Sequence, residues 1–182
     1  MLDHVTIRAS DRAASETFYA TVLQTLRIEQ THSGELGPES DDFSLSPASN
    51  ESPVTRHLHI GFAAPSRAHV DAFWKAGTDA GYRDDGAPGL RPEYSDDYYG
   101  AFLLDPDGNS AEAVHHGSLR EQGGVDHLWI RVADLEASTR FYEIVAPAAG
   151  FHIGRELEDR TLFACFGGSF SIVSGGAPTS DK

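Results

Sequence analysis

The segment Leu2-Asp3-His4-Val5-Thr6-Ile7-Arg8 returns near the end of the chain as Val125-Asp126-His127-Leu128-Trp129-Ile130-Arg131. At the same offset, Asp11, Ala14, Ser15, Phe18, Tyr19 and Val22 recur as Asp134, Ala137, Ser138, Phe141, Tyr142 and Val145. An internal repeat restricts the fold, because each copy must form the same small unit. Here the unit opens with a strand that carries a histidine.

Strand alternation runs from Leu2 to Arg8, with His4, Thr6 and Arg8 on one face. Asp11 and Asp134 read as helix N-caps. Ala14, Phe18 and Val22 then form an apolar stripe at helical spacing. A strand is expected near Leu26–Gln30, then a polar loop over Thr31–Asp42 holding at most one short strand, then a strand at Phe43–Ser46. A middle unit opens with His57-Leu58-His59-Ile60-Gly61-Phe62 and continues into a helix bearing Val70, Phe73 and Trp74. Gly86–Asp97 reads as a long loop. Tyr98–Leu104 and Ser110–His116 flank Asp105-Pro106-Asp107-Gly108-Asn109, a turn in which proline presets φ and glycine accepts positive φ. The last unit repeats the order strand, helix and three strands, and its tail from Gly175 onward is expected to fray. Helical and strand patterns alternate, yet the hairpins exclude a purely parallel sheet, so the class is α+β with βαβββ units. The expected division is a two-unit domain over 1–117, a linker at 118–124 and a third unit over 125–182.

The 182 residues carry a net charge of −14, which argues against a nucleic-acid or anionic-membrane partner, since phosphate binding needs a basic face. Cys165 is the sole cysteine, so no internal disulfide forms; this suits a reducing cytoplasm. No apolar run approaches the ~20 residues that span a bilayer. The start lacks a basic stretch followed by an apolar one, so no secretory leader is expected.

Paired βαβββ units, an opening strand with histidine, and an Asp-Pro-Asp-Gly-Asn hairpin followed by a glutamate strand resemble the vicinal oxygen chelate superfamily. That group includes glyoxalase I, bleomycin-resistance proteins, fosfomycin-resistance enzymes and extradiol dioxygenases. The resemblance implies that two units curl into a half-open barrel, to which this chain adds a third βαβββ unit at the C-terminus. It also implies a divalent metal ion, Fe(II), Mn(II), Zn(II) or Ni(II), held by the first strands of two paired units and the last strand of one. Carried over position by position, the ligands fall on His4, His59 and Glu112. His57 is the rival of His59: it shares its strand face, and alignment favours His59.

Two imidazoles and a carboxylate leave coordination positions open for a substrate that chelates through paired oxygens. Tyr98 and Tyr99 open the strand beside Glu112 and are the expected catalytic residues, as proton donor or substrate orienter. Arg91 could pair with an anionic substrate, though a surface role is favoured. His127 repeats His4, but its unit ends Phe170-Ser171-Ile172 with no carboxylate where Glu112 would stand. His127 is therefore read as a structural relic. The function implied is a metal-dependent enzyme of the dioxygenase or glyoxalase lyase/isomerase type with a small-molecule substrate. The alternative is a metal-free drug-binding resistance protein. Because barrels take units in pairs, the third unit is expected to pack on a second copy, giving a homodimer; the alternative is that it packs on the first barrel of its own chain.

Overall fold

A computed structural model describes residues 4–28, 32–34, 37–40, 42–117, 124–165 and 168–179. Expectations placed on Leu2–Asp3, Glu29–Thr31, 118–123 of the linker and Ser180–Lys182 lie outside these residues.

Three units follow one another. The first is β1 (Val5–Ala9), α1 (Arg12–Leu23), β2 (His32–Gly34), β3 (Gly37–Ser40) and β4 (Phe43–Pro47). The second is β5 (His59–Ala63), α2 (Arg67–Asp79), β6 (Arg83–Leu90), β7 (Tyr99–Leu104) and β8 (Ser110–His115). The third is β9 (Val125–Arg131), α3 (Leu135–Ala149), β10 (Phe151–Glu156), β11 (Arg160–Cys165) and β12 (Gly168–Val173). Each is βαβββ, including the first, whose expected loop holds two short strands.

The repeated residues do repeated work. Asp11 caps α1 by accepting from Ala14 N, and Asp134 caps α3 by accepting from Ala137 N. Thr55 Oγ1 accepts from Arg8 N and Thr55 N donates to Arg8 O, while Thr179 makes the same pair of bonds with Arg131. The tail is thus fixed as far as Thr179, which is buried, instead of frayed. No strand forms at Leu26: Gln24–Leu26 is a 3-10 turn, and Arg27 takes a left-handed φ of 62° that lets Ile28 N donate back to Leu23 O. The first part of the expected Gly86–Asp97 loop, as far as Leu90, is strand, since β6 pairs with β7 through irregular register around Gly86.

The pairing of units differs from the expected one. The second and third units share an eight-stranded sheet in the order β10-β11-β12-β9-β5-β8-β7-β6, which curls into a half-open barrel. Its seam is the antiparallel pair β5–β9, with His59 opposite Trp129 and Gly61 opposite His127. The first unit keeps a separate four-stranded sheet, β1-β4-β3-β2. It joins the second unit through its helix and core rather than by strand pairing. Phe18 packs edge-on to Tyr82 at 4.8 Å, and Phe43 packs edge-on to Phe62 at 5.2 Å. Tyr19 donates to the buried carboxylate of Asp105, which also accepts from Asp107 N, Asn109 N and Asn109 Nδ2 in the hairpin turn. The apolar stripe of α1 therefore locks onto the second unit and leaves the edge of β5 for β9.

Candidate metal centre

Strand geometry brings three side chains to one point. His59 begins β5, Glu112 lies in β8 beside it, and His127 lies in β9 on the other side. His59 Nε2 is 3.0 Å from Glu112 Oε2 and 3.1 Å from His127 Nε2, and His127 Nε2 is 3.2 Å from the same carboxylate oxygen. The three tips form a nearly equilateral triangle. For metal–ligand bonds of about 2.1 Å, adjacent ligands at right angles lie roughly 3.0 Å apart. The donor set and its spacing fit one face of an octahedral ion site.

Two glycines make the approach possible. A Cβ on Gly61 would stand 2.2 Å from the His127 ring, and one on Gly100 would stand 2.4 Å from Glu112 Oε1. A side chain at either place would push a member of the trio aside.

A second tier of polar groups aims the trio. His127 Nδ1 lies 2.9 Å from Asp126 Oδ2, and His59 Nδ1 lies 3.2 Å from Ser110 Oγ. Tyr98 Oη donates to Glu112 Oε1 at 2.8 Å. Asp126 also contacts His116 Nε2, and the His116 ring stacks on Tyr98. Such bonds fix ring orientation and tautomer.

Electrostatics follow from burial and pairing. Burial raises the Glu112 carboxyl, but hydrogen bonds and charge from His127 and His59 win and hold it at about 2. Burial lowers the His127 imidazole, yet the carboxylates of Asp126 and Glu112 win and push it up to about 10. Asp126 is held below the usual carboxylate range: burial opposes this, and the bonds to His116 and His127 outweigh it. Burial, then the Glu112 charge, push the Tyr98 phenol up, so it remains a proton donor. Without an ion, a protonated His127 thus sits between two carboxylates, and an ion bound here would take the place of that proton.

A pH prediction follows. His127 has its folded value raised above the ordinary 6.5, so its stabilisation is complete below about 6.5 and lost as pH rises through about 10. Glu112 has its value lowered from 4.5, so its contribution is present above about 4.5 and lost as pH falls through about 2. Urea midpoints of metal-free protein should fall between pH 6.5 and about 10, and a His127→Gln variant should show a flatter profile. Parallel profiles for the two proteins would contradict the raised imidazole.

The other expected site residues are dispersed. His4 precedes β1 in the other sheet, is exposed, and does not belong to the trio. Its place is taken by His127, the residue read as a relic. The repeat itself carried the signal, because His127 aligns with both His4 and His59. The missing third-unit carboxylate was no objection, since Glu112 serves both histidines. Ser171 stands at the position equivalent to Glu112, opposite Trp129, and lines the same cavity. His57 is exposed, with a left-handed φ of 58°. Alternation splits the tyrosines: Tyr98 meets Glu112, whereas Tyr99 Oη donates to Asp71 on α2. Arg91 donates to Ala87 O and Leu90 O and lies over the Phe102 ring.

The Glyoxalase/Bleomycin resistance protein/Dioxygenase superfamily matches residues 1–113. The chain belongs to this superfamily. Among solved members, a glyoxalase/bleomycin resistance protein from Albidiferax ferrireducens T118 is similar at 31% identity and a TM-score of 0.55, over 63% of this chain and 98% of that one. Glyoxalase I from Zea mays is similar at 17% identity and a TM-score of 0.64, over 97% of this chain and 68% of that one. A candidate dioxygenase from Bacillus subtilis is similar at 14% identity and a TM-score of 0.61, over 99% of this chain and 64% of that one. The last two likenesses establish the fold alone. No curated protein matches the chain. Among the described residues, no helix is long and apolar enough to cross a membrane.

Proposed function

We propose that this superfamily member is a metal-dependent enzyme acting on a small substrate that chelates the ion through vicinal oxygens. The observation that carries this reading is the convergence of His59 Nε2, Glu112 Oε2 and His127 Nε2. Together they would hold Fe(II), Mn(II), Zn(II) or Ni(II), all compatible with imidazole and carboxylate donors. Such an ion supplies Lewis acidity and open positions for two substrate oxygens.

The protein supplies the remainder. Glu112 and His127 are buried, so their charges act with little screening by water. Tyr98 lines the cavity with its hydroxyl on Glu112 and its proton firmly held. Its neutral hydroxyl supports a role in orienting a substrate oxygen by hydrogen bonding, more than in releasing its own proton. This serves ring-cleaving dioxygenation as well as lyase or isomerase chemistry of the glyoxalase type.

Calorimetry with 4-methylcatechol separates this reading from a metal-free drug-binding protein. The catechol should bind Zn(II)-loaded protein and fail to bind the metal-free form. Equal binding with and without the ion would favour the drug-binding alternative.

The homodimer also remains a proposal, with a changed location. The third unit is already paired with the second, whereas β1 has no strand on its outer edge among the described residues. A second copy would add there, and sedimentation showing only monomer at micromolar concentration would count against it. The lone thiol of Cys165 supports a cytoplasmic setting.

A further inference from the structure

The cavity over the trio has a volume of about 700 Å³ and walls of opposite charge. On the second-unit side stand Asp85 and Glu93. On the third-unit side stand Arg131, Arg155 and Arg160, together with Asp126, whose carboxylate is taken up by His116 and His127. Three of only 14 lysines and arginines converge here in a chain of net charge −14, so a dispersed solvated face does not explain them.

Their states differ. Arg131 is occupied, donating to the carbonyls of Ser174 and Gly175. Arg155 and Arg160 form no ion pair among the described residues; the arginine and lysine pairs there involve Arg12, Arg56, Lys75 and Arg140. Arg160 is held in place, its guanidinium 4.7 Å from the centroid of the Trp129 ring. Trp129 in turn packs its ring at a tilt against His59 at 5.5 Å and meets Tyr94 edge-on at 6.0 Å. An aromatic wall thus leads from the trio to a positioned cation that has no ion-pair partner among the described residues.

From this juxtaposition we infer that the substrate carries a carboxylate at the end remote from its chelating oxygens, bound by Arg160 and Arg155. The inference rests on the proposed metal site and adds a substrate class to it. A guanidinium fork matches a carboxylate in two parallel bonds. Asp85 and Glu93 repel the same group from the opposite wall, which fixes the direction in which the substrate lies.

Two probes share vicinal hydroxyls and differ in charge: 3,4-dihydroxybenzoate and 4-methylcatechol. Their affinities for Zn(II)-loaded protein, read by calorimetry and Trp129 fluorescence in a Trp74→Phe background, should differ at least tenfold in favour of the carboxylate, a ratio of the order expected for hydrogen bonds to a charged group. The Arg155→Gln/Arg160→Gln double variant should bring the ratio near one while leaving 4-methylcatechol binding unchanged. Added salt should weaken only the carboxylated probe in wild type. Equal affinities in wild type, or a preference that survives the double variant, would overturn the anion assignment and leave the metal site standing. Binding of neither probe would overturn both.

Discussion

Replacing Glu112 by alanine is expected to reduce divalent-ion affinity by more than about a hundredfold, beyond the range seen when only a ligand's supporting partner is lost. Glu112 is 1% exposed and its two oxygens receive His59, His127 and Tyr98. Alanine removes the carboxylate ligand and also leaves the Tyr98 hydroxyl and the His127 imidazole short of a partner. Breaking a buried charged pair costs about 3–5 kcal/mol, so the metal-free variant should unfold at lower urea as well. Glu112→Gln keeps the shape and one acceptor, and should recover part of the stability but little of the ion binding. Metal analysis and urea titration of both variants check this. Ion uptake by Glu112→Ala equal to wild type would remove the carboxylate from the site.

The second large effect comes from a single residue type placed twice by the repeat. Phe18→Ala should cost about 3–5 kcal/mol, and Phe141→Ala less than about 1 kcal/mol. Phe18 is fully buried, edge-on to both Tyr19 and Tyr82 at 4.8 Å. Phe141 holds the same place in α3 yet is 59% exposed. The difference lies in the neighbour: α1 packs against the second unit, and α3 has no such helix beside it among the described residues. Urea unfolding of both variants decides the matter. A loss at Phe141 as large as that at Phe18 would mean that α3 is covered in solution.

This contrast explains what the sequence disclosed and what it withheld. The units, their caps and the hairpin turn rest on local chemistry: Asp11 and Asp134 need only the amide three residues on, and Gly108 needs only its own φ of 84°. His59 and Glu112 were legible through the superfamily resemblance, whose opening strand and post-hairpin strand fall on β5 and β8, and these two strands do pair in parallel with the two residues close together. The partner of β5 was not legible. β1 and β9 present nearly the same residues, and the choice between them depends on the packing of α1 against α2 and on Phe43 against Phe62, which are tertiary facts. The exchange of His4 for His127 follows entirely from that choice. Tyr98 and Tyr99 were separable only once the face of β7 toward α2 was known. The arginines of the cavity gave no signal, because Arg131, Arg155 and Arg160 lie on different strands with no common spacing.

The superfamily resemblance implied a two-unit barrel, and the chain forms one from its second and third units instead of its first and second. The residues that matter for chemistry move with that change. The candidate ligands come from both sides of the β5–β9 seam, Tyr98 comes from the second unit, and the arginines of the cavity from the third.

Metal content measured side by side for wild type, His127→Ala and His4→Ala, each loaded with Mn(II) or Zn(II) and then desalted, asks whether the ion sits at the seam. One ion per chain is expected in wild type and in His4→Ala, and none in His127→Ala. Retention by His127→Ala together with loss in His4→Ala would place the centre in the first unit and contradict the site described here.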